Sequence, residues 1–108
     1  MIFGADDRRQ INKRSKKQEK KTADIYRGSR NAGSGSGWMR KNDVRALSFL
    51  FENKFTTNMK SITIKEVDLR ELTERAIIED RTPVLQFDLA NKRYVILNED
   101  DFLELIGE

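Results

Sequence analysis

Three residues of this chain, Asp43, Glu52 and Lys54, have the types and spacing for phosphodiester chemistry. Glu52 and Lys54 are two apart, so on a β-strand both side chains project to one face. Eight residues separate Asp43 from the Glu52-Asn53-Lys54 triplet, close enough for Asp43 to lie near the start of a neighbouring strand. Two carboxylates can hold a hard divalent cation, which polarises a phosphate and activates a water. A lysine beside them can orient that water or offset charge developing on the phosphoryl oxygens. The chain has neither His nor Cys. That removes Ser–His triads, cysteine nucleophiles and imidazole or thiolate metal sites. Any metal must be held by oxygen, which points to Mg²⁺, Mn²⁺ or Ca²⁺. A Glu-x-Lys triplet alone is weak in a chain that is 36% charged, and Glu19-Lys20-Lys21 is another. Context separates the two: Glu52 follows the apolar run Leu47–Phe51. Burying Glu and Lys beside a core is costly unless they pair or bind something. A surface ion pair at the end of a strand is the structural alternative.

Sequence pattern predicts the secondary structure around these residues. Residues 7–26 lack Gly and Pro and are rich in Lys, Arg and Gln, which predicts a helix over about 10–26. Residues 28–37, GSRNAGSGSG, predict a loop. Val44–Leu47 and Phe49–Phe55 read as strands, the second with Leu50, Glu52 and Lys54 on one face and Phe49, Phe51, Asn53 and Phe55 on the other. Residues 61–64 suit a short strand or a helix entry. A helix is expected over about 65–80, with Val67, Leu69, Leu72, Ala76 and Ile77 as its buried stripe and Pro83 stopping it. Strands Val84–Leu89 and Tyr94–Leu97, joined through Ala90 to Arg93, suggest a hairpin. Asn98 or Glu99 can open a last helix of about eight residues. Leu69, Leu72, Ile77, Val84, Leu85, Phe87, Val95 and Ile96 are the expected core. The order implies one mixed α/β domain over 1–108, with helices covering a central sheet.

Charge is divided along the chain. The net charge is +3, but residues 1–60 carry +9 and residues 61–108 carry −6. The densest stretch, Arg8, Arg9, Lys13, Arg14, Lys16, Lys17, Lys20 and Lys21, makes a basic helix or arm over about 1–27. Such density is the electrostatic footprint of nucleic-acid binding, with a solvated helix face or an acidic membrane surface as alternatives. No run of about 18 apolar residues predicts a transmembrane helix. The N-terminus lacks the apolar stretch of a signal peptide. A cytoplasmic protein that does not enter the membrane is therefore expected. Trp38, beside Arg40 and Lys41, can stack on a base, wedge into a junction, or pack under the glycine-rich loop. That loop's backbone can approach a phosphate closely.

Asp43 with Glu52-x-Lys54 resembles the signature of the PD-(D/E)XK nucleases, with Asn42 where that family usually has Pro. The segment Arg30-Asn31-Ala32-Gly33-Ser34-Gly35-Ser36 is similar to one preceding the first motif strand in archaeal-type Holliday junction resolvases and small phage resolvase-like nucleases. Glu19, in QEKKTADIYRG, is similar in placement to a glutamate of their first helix. The resemblance spans residues 17–90. It implies a restriction-endonuclease-like mixed sheet flanked by helices. It also implies a Mg²⁺-dependent, structure-selective DNA endonuclease, with Mn²⁺ as substitute. Four-way or branched DNA would be the substrate and a homodimer the working form. By that resemblance Asp43 and Glu52 are metal ligands, the carbonyl of Asn53 completes the site, and Glu19 is a further acidic residue. Lys54 becomes the catalytic lysine and Ser34 the loop serine near the scissile phosphate, with Ser36 an equal chemical candidate. DNA contacts are expected from Arg14, Lys16, Lys17, Lys20, Lys21, Arg30, Ser36, Arg40, Lys41 and Lys60. Two alternatives stand beside this reading. One is a non-catalytic nucleic-acid-binding protein. The other is a nuclease of the same fold acting on nicks, flaps or single strands.

Overall fold

The computed structural model describes residues 5–27, 29–30 and 43–107, and only the backbone of residues 5–8 and 29–30. The order is α1 (Ala5–Tyr26), β1 (Ser29–Arg30), β2 (Asp43–Ala46), β3 (Phe49–Lys54), α2 (Glu66–Ile78), β4 (Thr82–Leu89), β5 (Lys92–Ile96) and α3 (Glu99–Leu105). The expected α/β class is correct. The strands form one mixed open sheet in the order β1-β2-β3-β4-β5, its first strand two residues long. β3 and β4 are parallel and the other neighbours antiparallel. Parallel strands need a crossover, and α2 supplies it.

The two faces of the sheet bury different clusters. On one, Ala23 of α1 packs with Val44, Ala46, Phe51 and Val84, and Tyr26 stacks on Phe51 at 4.3 Å between ring centroids. On the other, Leu72 and Ala76 of α2 pack on Leu50 and Leu85. Alternation along β3 therefore sends Leu50, Glu52 and Lys54 toward α2, and Phe51 and Asn53 toward α1. None of the described helices is long and apolar enough to cross a membrane.

Several sequence expectations shift. α1 starts at Ala5, five residues before its expected start, because nothing in the stretch breaks a helix. Ser29–Arg30, expected as loop, pairs with β2. Leu47 is not part of a buried strand: it sits at φ 55° in the β2–β3 turn and is 77% exposed. Residues 61–64 belong to neither strand nor helix. α2 ends at Ile78 and Asp80 turns the chain with φ 54°, so Pro83 does not stop the helix. Pro83 lies instead near the start of β4, where a strand tolerates it. Val67, Ile77 and Val95 are exposed rather than buried. The connection between β4 and β5 is only Ala90-Asn91, both at positive φ, as a two-residue hairpin of matching twist requires. α3 begins as expected, with Asn98 Oδ1 accepting from the Asp100 N–H at 2.8 Å.

Candidate active site

The two-residue turn at Leu47-Ser48 sets the register of the β2–β3 hairpin, and that register places Asp43 directly opposite Glu52. Directly opposed residues share a face. Both carboxylates point toward α2 and both are buried, Asp43 fully and Glu52 to 4% exposure. The expected meeting of Asp43 with Glu52 is thus present. The cation between them comes from elsewhere. Arg75 of α2 donates from Nε to Asp43 Oδ2 at 3.1 Å, and from Nη2 to Asp43 Oδ1 at 3.3 Å and Glu52 Oε1 at 2.5 Å. Arg75 is itself buried, so three charges share a dry site. Buried charges persist only when paired and hydrogen-bonded, and the planar guanidinium fork supplies several donors at once.

This contact belongs to a longer stripe. Asp68, Arg75 and Glu79 recur along one face of α2 and its end. Asp68 Oδ2 meets Lys54 Nζ at 3.4 Å, Arg75 meets the acid pair, and Glu79 accepts a two-pronged bond from Arg45 of β2. Signs alternate along the helix and are matched on the sheet. Burial raises the Asp43 carboxyl above the usual carboxylate range; the attraction of Arg75 opposes the rise without cancelling it. Burial works against the charged Arg75, but Asp43 and Glu52 outweigh it and strengthen proton binding by the guanidinium.

The remaining expected site residues fall in three groups. Lys54 shares the face of Glu52, but its ammonium is engaged by Asp68. The Asn53 side chain turns to the other face, its Oδ1 2.5 Å from Thr22 Oγ1. Glu19 is buried on α1, the helix covering that other face. Among the described residues no three acidic side chains form a group able to hold a metal ion, and Glu19 lies across the sheet from Asp43 and Glu52. Arg14, Lys16, Lys17, Lys20 and Lys21 are exposed along α1, and Lys60 is exposed after β3. Arg30 has only its backbone described, in β1, and Ser34, Ser36, Trp38, Arg40, Lys41 and Asn42 lie outside the described residues.

The donor chemistry suits a hard divalent cation. Carboxylate oxygens from two strands converge on one positive group, and the three partners sum to a formal charge of −1. Mg²⁺ commonly takes one or two protein carboxylates and completes its shell with water and phosphate oxygens. Asp43 and Glu52 would hold it where the guanidinium now bonds, so its entry requires Arg75 to yield part of that position. Sequence reading missed Arg75. The available signal was its place beside Leu72 and Ala76, where a solvent-facing arginine is not expected. No family model matches the chain, and no curated protein or solved structure does either.

Proposed function

We propose that this protein is a metal-dependent, structure-selective DNA endonuclease of the restriction-endonuclease-like kind, with four-way or branched DNA as its preferred substrate. The observation that carries this reading is the direct opposition of two buried carboxylates, Asp43 and Glu52, with Lys54 two residues along the same strand face. A bound Mg²⁺ would polarise the scissile phosphate and lower the pKa of an attacking water. The chain's own residues do the rest. Asp43 and Glu52 fix the position of charge at the edge of the β2–β3 hairpin. Lys54, released from Asp68, offsets charge on the phosphoryl oxygens. The lysines and arginines of α1 hold flanking phosphates. Two symmetric incisions call for two copies of the site, hence a homodimer.

A second reading has its own observation. Arg75 satisfies both carboxylates and Asp68 engages Lys54, an arrangement that a purely structural charge cluster would also show. The protein would then bind nucleic acid without cutting it. Cleavage of a labelled four-way junction in Mg²⁺, wild type beside Glu52→Gln, separates the two. Paired symmetric cuts by the wild type alone are expected. Absence of cutting on every branched substrate, or equal cutting by Glu52→Gln, sinks the nuclease reading. Parallel assays on flap, nicked and linear DNA identify the preferred branch.

A further inference from the structure

A cleft of about 300 Å³ opens on the α1 side of the sheet, away from the acid pair. It lies between α1, the segment after β3 and the β4–β5 turn. Arg14, Lys17 and Lys21 line it from α1 and Arg93 from β5, with Asp88 as its one carboxylate. Lys54 stands at its edge with its ammonium committed to Asp68. Positions 14, 17 and 21 are three and four apart, so they share one flank of the helix. All three are exposed, and none forms an ion pair with a carboxylate among the described residues. Asp88 accepts from Gln86 Nε2 at 2.8 Å.

Behind this lining runs a polar network that is incomplete. Gln18 Nε2 donates to Gln86 Oε1 at 2.8 Å and to the Lys54 carbonyl at 3.0 Å, and Arg93 Nη2 donates to Thr22 Oγ1. Yet Arg93 Nη1 is buried without an acceptor and Gln18 Oε1 is buried without a donor. Buried polar groups are nearly always satisfied, often by ordered water, and neither of these two atoms is open to solvent in the cleft. The same cleft holds an aromatic surface. Phe55 lines it, with the Arg14 guanidinium 5.4 Å from the ring centroid. Cations that track phosphates beside an aromatic ring on which a base stacks are the parts of a single-strand subsite. The volume lies at the lower end of small-ligand pockets, roughly 300–1,000 Å³, enough for one nucleotide and too small for a double helix.

We propose that this cleft seats one nucleotide of unpaired DNA, its phosphate held by Lys17 and Lys21 and its base against Phe55. The proposal deepens the nuclease reading and rests on it for its purpose, because flaps and opened branch points present unpaired nucleotides. The binding itself needs neither metal nor cleavage. It is tested by fluorescence anisotropy of labelled oligothymidylate in EDTA. Two double variants carry the same change of charge. Lys17→Glu with Lys21→Glu alters the cleft, and Lys16→Glu with Lys20→Glu alters exposed positions outside its lining. The cleft pair is expected to lose about tenfold more affinity than the outer pair, and Phe55→Leu to lose about tenfold through the missing stack. Equal losses by the two pairs would mean diffuse attraction along α1 and overturn the proposal, as would unchanged affinity in Phe55→Leu. The assay excludes metal, so it reads binding with cleavage silent. Failure of junction cleavage together with selective loss in the cleft variants would therefore remove the nuclease reading and leave the cleft standing.

Discussion

At the scale of single residues, Arg75 decides the character of the acid pair. Removing it leaves two carboxylates buried and facing each other, so Arg75→Met should destabilise the metal-free protein by roughly 3–5 kcal/mol. Urea unfolding in EDTA measures this, and a loss below 1 kcal/mol, on the order of a surface pair, would contradict it. Arg75→Lys keeps the charge but loses the planar fork and should fall between. The pH dependence of Asp43 has a definite sign. Its folded carboxyl binds its proton more tightly than in the unfolded chain, because burial outweighs Arg75. The stability this contributes is fully present below the unfolded pKa and is lost as pH rises through the folded value. In EDTA, the stability of wild type relative to Asp43→Asn should therefore be greater at about pH 4 than at about pH 7. A difference growing with pH would show that the guanidinium prevails. Asp43 and Glu52 were legible in the sequence because a period of two and an apolar run locate them on strands. Arg75 was not, because an arginine flanked by Glu71, Glu74 and Glu79 looks like one more solvated charge until its stripe neighbours are weighed.

At the scale of elements, matched charges set the seating of α2. Its apolar contact runs through Leu72 and Ala76, with Leu69 packed beside them, and hydrophobic contact is non-directional. The pairs Asp68–Lys54 and Glu79–Arg45 stand on either side of Arg75 and fix which turn of the helix meets the acid pair. The β2–β3 hairpin has a correctable flaw. Leu47 holds φ 55° while 77% exposed, a conformation that costs an L side chain roughly 1–2 kcal/mol. Leu47→Gly should relieve part of that and raise stability by about 1 kcal/mol, seen as a higher denaturation midpoint with unchanged slope; a lower midpoint refutes it. The sequence placed every helix and all strands but β1, because Gly and Pro spacing and strand periodicity are local signals. It misassigned Leu47, Val67, Ile77 and Val95, whose apolarity alone could not tell that tertiary geometry leaves them outside. Pro83 misled for the opposite reason: a breaker residue followed a helix that had already ended.

At the scale of the whole molecule, the division of charge acquires a geometry. The basic residues of α1 lie over one face of the sheet, while the acid pair and its arginine are sealed on the other. On the proposed reading, binding and chemistry would draw on opposite faces of a single sheet. Junction affinity should fall with salt, with a slope of log K against log salt on the order of −4 if about four or five phosphates are neutralised. Titration in EDTA over a range of KCl gives this slope, and a value near zero would show that α1 holds no phosphates.

The acid pair is joined by a turn of two residues, whereas its arginine arrives on the crossover that delivers β4. The hairpin can form early, since its contacts are local. In that state Asp43 and Glu52 oppose each other without their guanidinium, and like charges directly across a ladder weaken it. The hairpin thus gains its full stability only as α2 docks and β3 finds its parallel neighbour. Folding and assembly of the site become a single event: a chain caught halfway carries the residues of the site, but in a hairpin too unstable to hold them together.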